Sequence, residues 1–552
     1  MKSLFAVCLW ALLPCTAAFS QTAKPAVSCE SLAKLAMAEV TITMAQPVAA
    51  GKFRGPPVAD TQLAPLTPNS AAAHPFPSPD YSPNPAFCRV AATLKPSGDS
   101  DIKMEIWLPL NWNGKFMGAG NFGWAGDIRY DGLMYGLRNG YAVASNDTGH
   151  TRDTGQTAEF AVGHPEKVID YGWRANHAMT LDSKAIIKAY YGAAPKHSYW
   201  VGCSLGGEQG MMEVQRFPLD YDGVLVGQPP WPLVNMNAQQ MYQAVLARDN
   251  PTGLLTPQKT VLIQNAITKH CASEVDLKLG YLEDPDGCHF DPSILLCKGA
   301  DSDSCLTAAQ LDMVTKLHDG LTNTRTGARI THAPEGWGNG PSLTSMTGFG
   351  GVAAPAPGRG GGGGPGGPGG AAPRGGGGGL GAAGPGEPMG VALALYKYLI
   401  FQDTNWDWKT LDFNRDVPLG ERVLSTVFTV ENPNLKEFFD HGGKLILYED
   451  TPETLNFYKD VLKTVGPAAN NSIRVFNMPG MAHCSGGAGC DTFDKLGVID
   501  KWVEGGPAPD RIVAMKSTDS KVTHPICAYP KVARYKGSGE LTDAESFVCT
   551  NR

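Results

Sequence analysis

The chain has no excess of basic residues, no second apolar run of membrane length, no Cys-x-x-Cys pair, and neither a His-x-x-His nor a His-Glu-x-x-His run. Each absence removes a class of function. A formal net charge of −7 offers no positive surface to a phosphate backbone, which argues against nucleic acid as a partner. Without paired cysteines or closely spaced histidines, the usual zinc ligand sets and a metal-dependent hydrolase are disfavoured, and no metal is expected. Only 18 % of residues are charged while 42 % are hydrophobic, so 552 residues can build a large core and wholesale disorder is excluded.

The one early apolar run follows Lys2, extends over residues 4–13 and leads into small residues ending Ala18-Phe19-Ser20. A lysine, a short apolar stretch and a small-x-small site read as a signal peptide over residues 1–20. A bilayer span needs about 20 apolar residues, so this run is too short to be one. The mature protein is therefore expected to be secreted or periplasmic, with no membrane association, and nothing in the sequence specifies an oligomeric state. Of 13 cysteines, Cys8 and Cys15 leave with the leader. The remaining eleven are widely spaced, which in an oxidising compartment reads as up to five disulfides and an odd thiol.

Strand-like and helix-like segments alternate between about residues 101 and 229. Residues 103–108, 141–145, 198–202 and 223–226 read as strands; 177–191 and the stretch from Ser204 through Arg216 read as helices. The pattern returns at 444–448 and 472–476. Alternation of this kind predicts an α/β fold with a parallel sheet covered on both faces. Between the two parts, residues 230–430 hold helical segments, four cysteines and a tract at 348–388 made almost wholly of Gly, Ala and Pro. The tract cannot bury apolar surface and is expected to be disordered. The architecture read from this is one catalytic core, residues 21–229 and 431–552, interrupted by a lid.

Gly202-Cys203-Ser204-Leu205-Gly206 is a G-x-S-x-G run lying directly after a predicted strand and before a predicted helix. Glycines are needed around a serine on so tight a turn, which raises the hydroxyl above the sheet next to helix amides. A serine nucleophile needs a base. The late candidate is His483, in a loop after the last predicted strand, and its neighbour Cys484 matches Cys203 beside the serine. A Cys203–Cys484 bridge would hold base against nucleophile. His150 and His177 read as core or turn hydrogen-bonding residues.

These residues resemble the tannase and feruloyl esterase family, which also includes the hydrolase of mono(2-hydroxyethyl) terephthalate. The resemblance rests on Gly-Cys-Ser-x-Gly-Gly with a distant His483-Cys484, on Asn111-Trp112-Asn113-Gly114-Lys115-Phe116, and on residues 140–150 and 216–223. Asn405-Trp406-Asp407-Trp408 and the tail from Cys527 through Cys549 add to it. It implies an α/β-hydrolase fold with a large lid insertion, and ester hydrolysis through an acyl-enzyme. Ser204 would attack, His483 would carry the proton and a carboxylate would orient it. The oxyanion donors would be the amides of Leu205 and Gly123, although Phe122 stands where the family usually has glycine. The remaining bridges implied are Cys29–Cys88, Cys271–Cys288, Cys297–Cys305 and Cys527–Cys549, leaving Cys490 odd.

Two segments depart from the family pattern. After Tyr448 the acid loop is shortened. Matching the run before the next helix points to Asp450, whereas counting from the strand lands on Glu453, with Glu449 or a missing acid as the remaining readings. In the lid, Ala272, Val275 and Leu279 stand where family members carry calcium-binding aspartates, so no calcium and no other cofactor is expected. Trp406, Trp408 and Phe413 read as packing where lid meets core. The function expected is exported hydrolysis of small-molecule esters of aromatic acids, feruloyl, galloyl or related. The rival reading is a catalytically degenerate relative that binds such compounds.

Overall fold

The computed structural model describes residues 24–55, 80–124, 126–151, 157–331, 336–337, 386–448 and 451–552. The leader at 1–20, the Gly-rich tract up to residue 385 and the pair Glu449–Asp450 lie outside the described residues.

Nine strands form the central sheet: β1 (Val40–Val48), β2 (Phe87–Leu94), β3 (Ile102–Pro109), β4 (Lys115–Ala119), β5 (Ala142–Asn146), β6 (His197–Cys203), β7 (Gly223–Gly227), β8 (Lys444–Tyr448) and β9 (Ile473–Phe476). Their spatial order is β1-β2-β3-β5-β4-β6-β7-β8-β9. From β5 to β9 all neighbours are parallel, while β1, β2 and β3 run antiparallel to their neighbours. The sheet is thus mixed, where the sequence pattern suggested a parallel one. The loop between β2 and β3 is too short for a helical crossover, so that pair can only be a hairpin.

Crossover helices connect the parallel strands: α1 (Tyr130–Arg138), α2 (Ala175–Tyr191), α3 (Leu205–Arg216), and, after the insertion, α4 (Pro452–Val465); α5 (Lys495–Val503) follows β9 and packs back on the sheet. On one face of the sheet Met179, Ile186, Met211, Val214 and Val461 pack; on the other, Leu133, Leu137, Leu496, Ile499 and Trp502. With both faces covered, β5, β6 and β7 are almost wholly buried, which explains their continuous apolar runs.

Between β7 and β8 the chain forms helices including Leu233–Asp249, Pro257–Cys271, Glu274–Leu279, Ala308–Asp319 and Phe413–Phe428. Leu233, Leu395 and Phe428 from this segment share one apolar cluster with Trp124, Tyr171 and Leu205 of the core, and Trp406, Trp408 and Phe413 pack against it. Val275 and Leu279 pack against Cys527, Ala533 and Phe547 of the C-terminal region, so apolar contact is the use this chain makes of those positions. The C-terminal region adds two hairpins, β10 (Arg511–Lys516) with β11 (Asp519–Cys527) and β12 (Lys531–Tyr535) with β13 (Phe547–Asn551). Among the described residues, no helix is long and apolar enough to cross a membrane.

Candidate active site

The register of the parallel strands gathers the site residues at one edge. Cys203 pairs with Gly227, Gly227 with Tyr448, and Tyr448 with Phe476, so β6, β7, β8 and β9 end in one row. Ser204 follows the first of these ends and Asp450 lies two residues beyond the third. The loop bearing His483 leaves the fourth. Strands are spaced by about 4.8 Å, so three intervals, about 14 Å, separate the exits of serine and histidine. The loop from β9 must fold back across the sheet end to bring them together.

Ser204 sits where β6 turns into α3, at φ 59° and ψ −132°. A non-glycine residue held at positive φ is strained, and such strain persists only where the surroundings enforce it. Here the Ser204 amide donates to the Gly227 carbonyl at 2.9 Å, and the Ser204 carbonyl accepts from the amides of Gly207 and Glu208 at 2.8 and 3.1 Å. The flanking glycines are required by close approach. A Cβ on Gly202 would lie 2.0 Å from the Gly206 oxygen, and one on Gly206 would lie 2.4 Å from the Asn121 oxygen. Leu205 is the first residue of α3, so its amide has no acceptor within the helix and points from the positive end of the helix dipole.

Gly123, the other candidate oxyanion donor, has φ 52°, and its carbonyl accepts from the Tyr171 hydroxyl at 2.6 Å. Phe122 is buried, and its ring centroid lies 6.1 Å from that of His483. The preceding amide, of Asn121, donates to Gln209 Oε1 at 2.9 Å, tying this loop to α3. One turn past the serine, Glu208 is buried, and burial pushes its carboxyl well above the ordinary value.

The disulfide Cys203–Cys484 is formed, with a Cα–Cα distance of 6.0 Å. It places His483 directly beside the strand end that carries Ser204. The histidine loop is held from below. Cys484 has φ 67° and its amide donates to Gln228 Oε1. Asp491, 1 % exposed, accepts from the amides of Gly486 and Ser517 and from the Ser517 hydroxyl at 2.5 to 2.7 Å. Lys516 Nζ donates to the carbonyls of Gly487, Ala488 and Gly489. Partial desolvation by the surrounding chain lowers the imidazole pKa to about 4, although the His483 side chain is exposed to solvent. That exposure moderates the desolvation; the direction, toward a neutral ring at pH 7, is the one a general base needs.

Of the two acid candidates, Asp450 lies outside the described residues. Glu453 occupies the first turn of α4, behind a Thr451 cap and Pro452, where a carboxylate also favours the helix end without any catalytic role. The other pairs named from the sequence are also bridged: Cys29–Cys88, Cys271–Cys288, Cys297–Cys305 and Cys527–Cys549. Cys490 is a buried free thiol whose Sγ faces the Val522 carbonyl, and burial raises its pKa to about 11. His150 ring nitrogens face the Trp124 carbonyl and the Thr148 hydroxyl, and His177 Nδ1 faces Asp220. In the lid, the Asp276 carboxylate caps its own helix through Ser273. A cavity of about 250 Å³ opens between Leu233 and Phe428, with Glu421 and Glu431 in its wall; neither Ser204 nor His483 lines it.

Gln228, Asp491, Lys516 and Tyr171 were not recognisable from the sequence. No motif marks them, and each acts through a main-chain contact made only in the folded chain.

Comparison with known proteins adds a second line of observation. The family profile described as tannase and feruloyl esterase matches residues 88–550. The chain is 31 % identical to an uncharacterized esterase of Xanthomonas campestris pv. campestris, over 96 % of this chain and 92 % of that one. It is 29 % identical to a probable feruloyl esterase B-1 of Aspergillus oryzae, over 84 % of each. The crystal structure of feruloyl esterase B from Aspergillus oryzae superposes with a TM-score of 0.77 at 27 % identity, covering 95 % of this chain and 99 % of that one.

Proposed function

Because the chain belongs to the tannase and feruloyl esterase family of carboxylic ester hydrolases, we propose that it is an exported serine esterase acting on small-molecule esters of aromatic acids. The observation that carries the mechanism is the strained Ser204, tethered through Cys203–Cys484 to the loop that bears His483. In the reaction, His483 takes the Ser204 proton as Oγ bonds to the ester carbonyl carbon. The tetrahedral oxyanion rests on the amides of Leu205 and Gly123. Collapse breaks the bond to the alcohol, which leaves with the proton from His483. Water, deprotonated by the same ring, then frees the acid and restores Ser204. Asp450 is the preferred carboxylate behind His483, since the x-Pro-x-Thr run at the start of α4 matches it to the acid of the family pattern. The chemistry uses no cofactor, and calcium is not required by the lid. Support for export comes from the leader and from five disulfides.

The test is hydrolysis of methyl ferulate and methyl gallate by the mature chain and its Ser204→Ala variant. Cleavage by the first and none by the second is the expected result. Equal rates would remove Ser204 from the mechanism, and inactivity of both proteins, a small activated ester included, would favour a binding protein built on this fold.

A further inference from the structure

We propose a second, metal-binding site on the far side of α3, in which His177, Glu213 and Asp220 hold one divalent first-row transition metal ion. The three residues come from α2, the last turn of α3 and the loop before β7, and their donor atoms all lie within 4.8 Å of one another. Glu213 is 1 % exposed, and no protein hydrogen-bond donor reaches either of its carboxylate oxygens, which face the Asp220 carboxyl instead. An unpartnered buried carboxylate is costly unless something neutralises it. His177 Nδ1 already faces Asp220 Oδ2 at 2.6 Å, and its ring stacks on Phe217 with centroids 3.6 Å apart. The His177 side chain is 26 % exposed, which leaves a path for an ion from solvent.

Two carboxylates this close must share a proton or a cation. A proton satisfies only one Glu213 oxygen, whereas an ion can take both, with the imidazole as a further ligand. One imidazole and two carboxylates suit zinc or manganese. The opposing charge is Lys184, whose Nζ donates to the Asp220 main-chain carbonyl and not to its carboxylate. Asp182 and Asp222 add negative charge near His177 and Lys184, and the Tyr221 hydroxyl bonds to Thr180 instead of the site. Glu213 is nine residues from Ser204 along one helix, about 14 Å at 1.5 Å per residue, so the ion would brace α3 without touching the ester.

The experiment is zinc titration of the chelator-stripped, disulfide-intact mature protein by calorimetry, with cobalt absorption reporting the ligand set. One equivalent should bind, raising Tm. Glu213→Gln and, independently, the part-exposed His177→Ala should each weaken binding at least tenfold while esterase activity reports that they are folded, and Lys184→Met should tighten it. Wild-type affinity in both ligand variants would overturn the proposal. So would no uptake by the wild type together with a protonated-carboxyl infrared band that Glu213→Gln removes, which would identify a shared proton instead.

Discussion

Replacing both Cys203 and Cys484 by alanine tests how much of the active site depends on its covalent brace. The bridge joins positions 281 residues apart. With the loop-entropy relation for cross-links, a loop of that size corresponds to roughly 5.6 kcal/mol of stability, just beyond the usual range for natural bridges. The lid bridge Cys297–Cys305 closes a separation of only 8 residues, and the same relation gives roughly 2.5 kcal/mol for it. The two double variants should therefore differ in Tm, the first falling by about 5 °C and the second by about 2 °C. They should also differ in chemistry. The histidine loop must cross the sheet end to meet Ser204, and a base displaced by about 1 Å costs on the order of a hundredfold in rate. Steady-state hydrolysis of methyl ferulate should show kcat down about 100-fold with KM little changed in the Cys203/Cys484 variant, and both parameters near wild type in the Cys297/Cys305 variant. A Cys203/Cys484 variant with wild-type kcat would refute the argument, because Gln228, Asp491 and Lys516 would then suffice to place the base.

Three further outcomes are expected. Asp450→Asn should lower kcat by about 10⁴, as loss of the orienting acid does elsewhere, while Glu453→Gln stays within about threefold; the reverse pattern would move the acid onto α4. The pH dependence of kcat/KM should have an acidic limb with its midpoint below the ordinary imidazole value of about 6.5, because partial desolvation disfavours the protonated ring; activity is lost as pH falls and His483 takes a proton, and a limb above 7 would contradict this. Phe122→Gly, which removes a buried ring 6.1 Å from that of His483, should change the ratio of kcat/KM for methyl gallate and methyl ferulate by about tenfold, and an unchanged ratio would place the acyl pocket elsewhere.

The sheet interior was legible because strands buried on both faces must be apolar throughout: 198–202 and 223–226 announced β6 and β7. The tight turn at Ser204 was legible because only glycines fit around it. The bridge that ties the His483 loop to that turn was legible through Cys484, since a lone loop histidine carries no signal. The antiparallel edge was misread because alternation says nothing about the direction of a neighbour. Residues that act through folded contacts left no trace in spacing. Asp491 and Lys516 fasten the histidine loop from either side of a strand that follows it, and His177, Glu213 and Asp220 converge from separate elements. Reading His177 as a hydrogen-bonding residue was sound as far as sequence goes; what it missed was the orphaned carboxylate beside it.

Lys516 holds three successive carbonyls of the histidine loop, and it lies at the end of β10, downstream of the base it steadies. Asp491, too, closes on Ser517. A chain emerging from the ribosome in order will have made its nucleophile, lid and base before either clasp exists. The loop that bears His483 therefore lacks both clasps until the β10–β11 hairpin has been made and has folded back onto it.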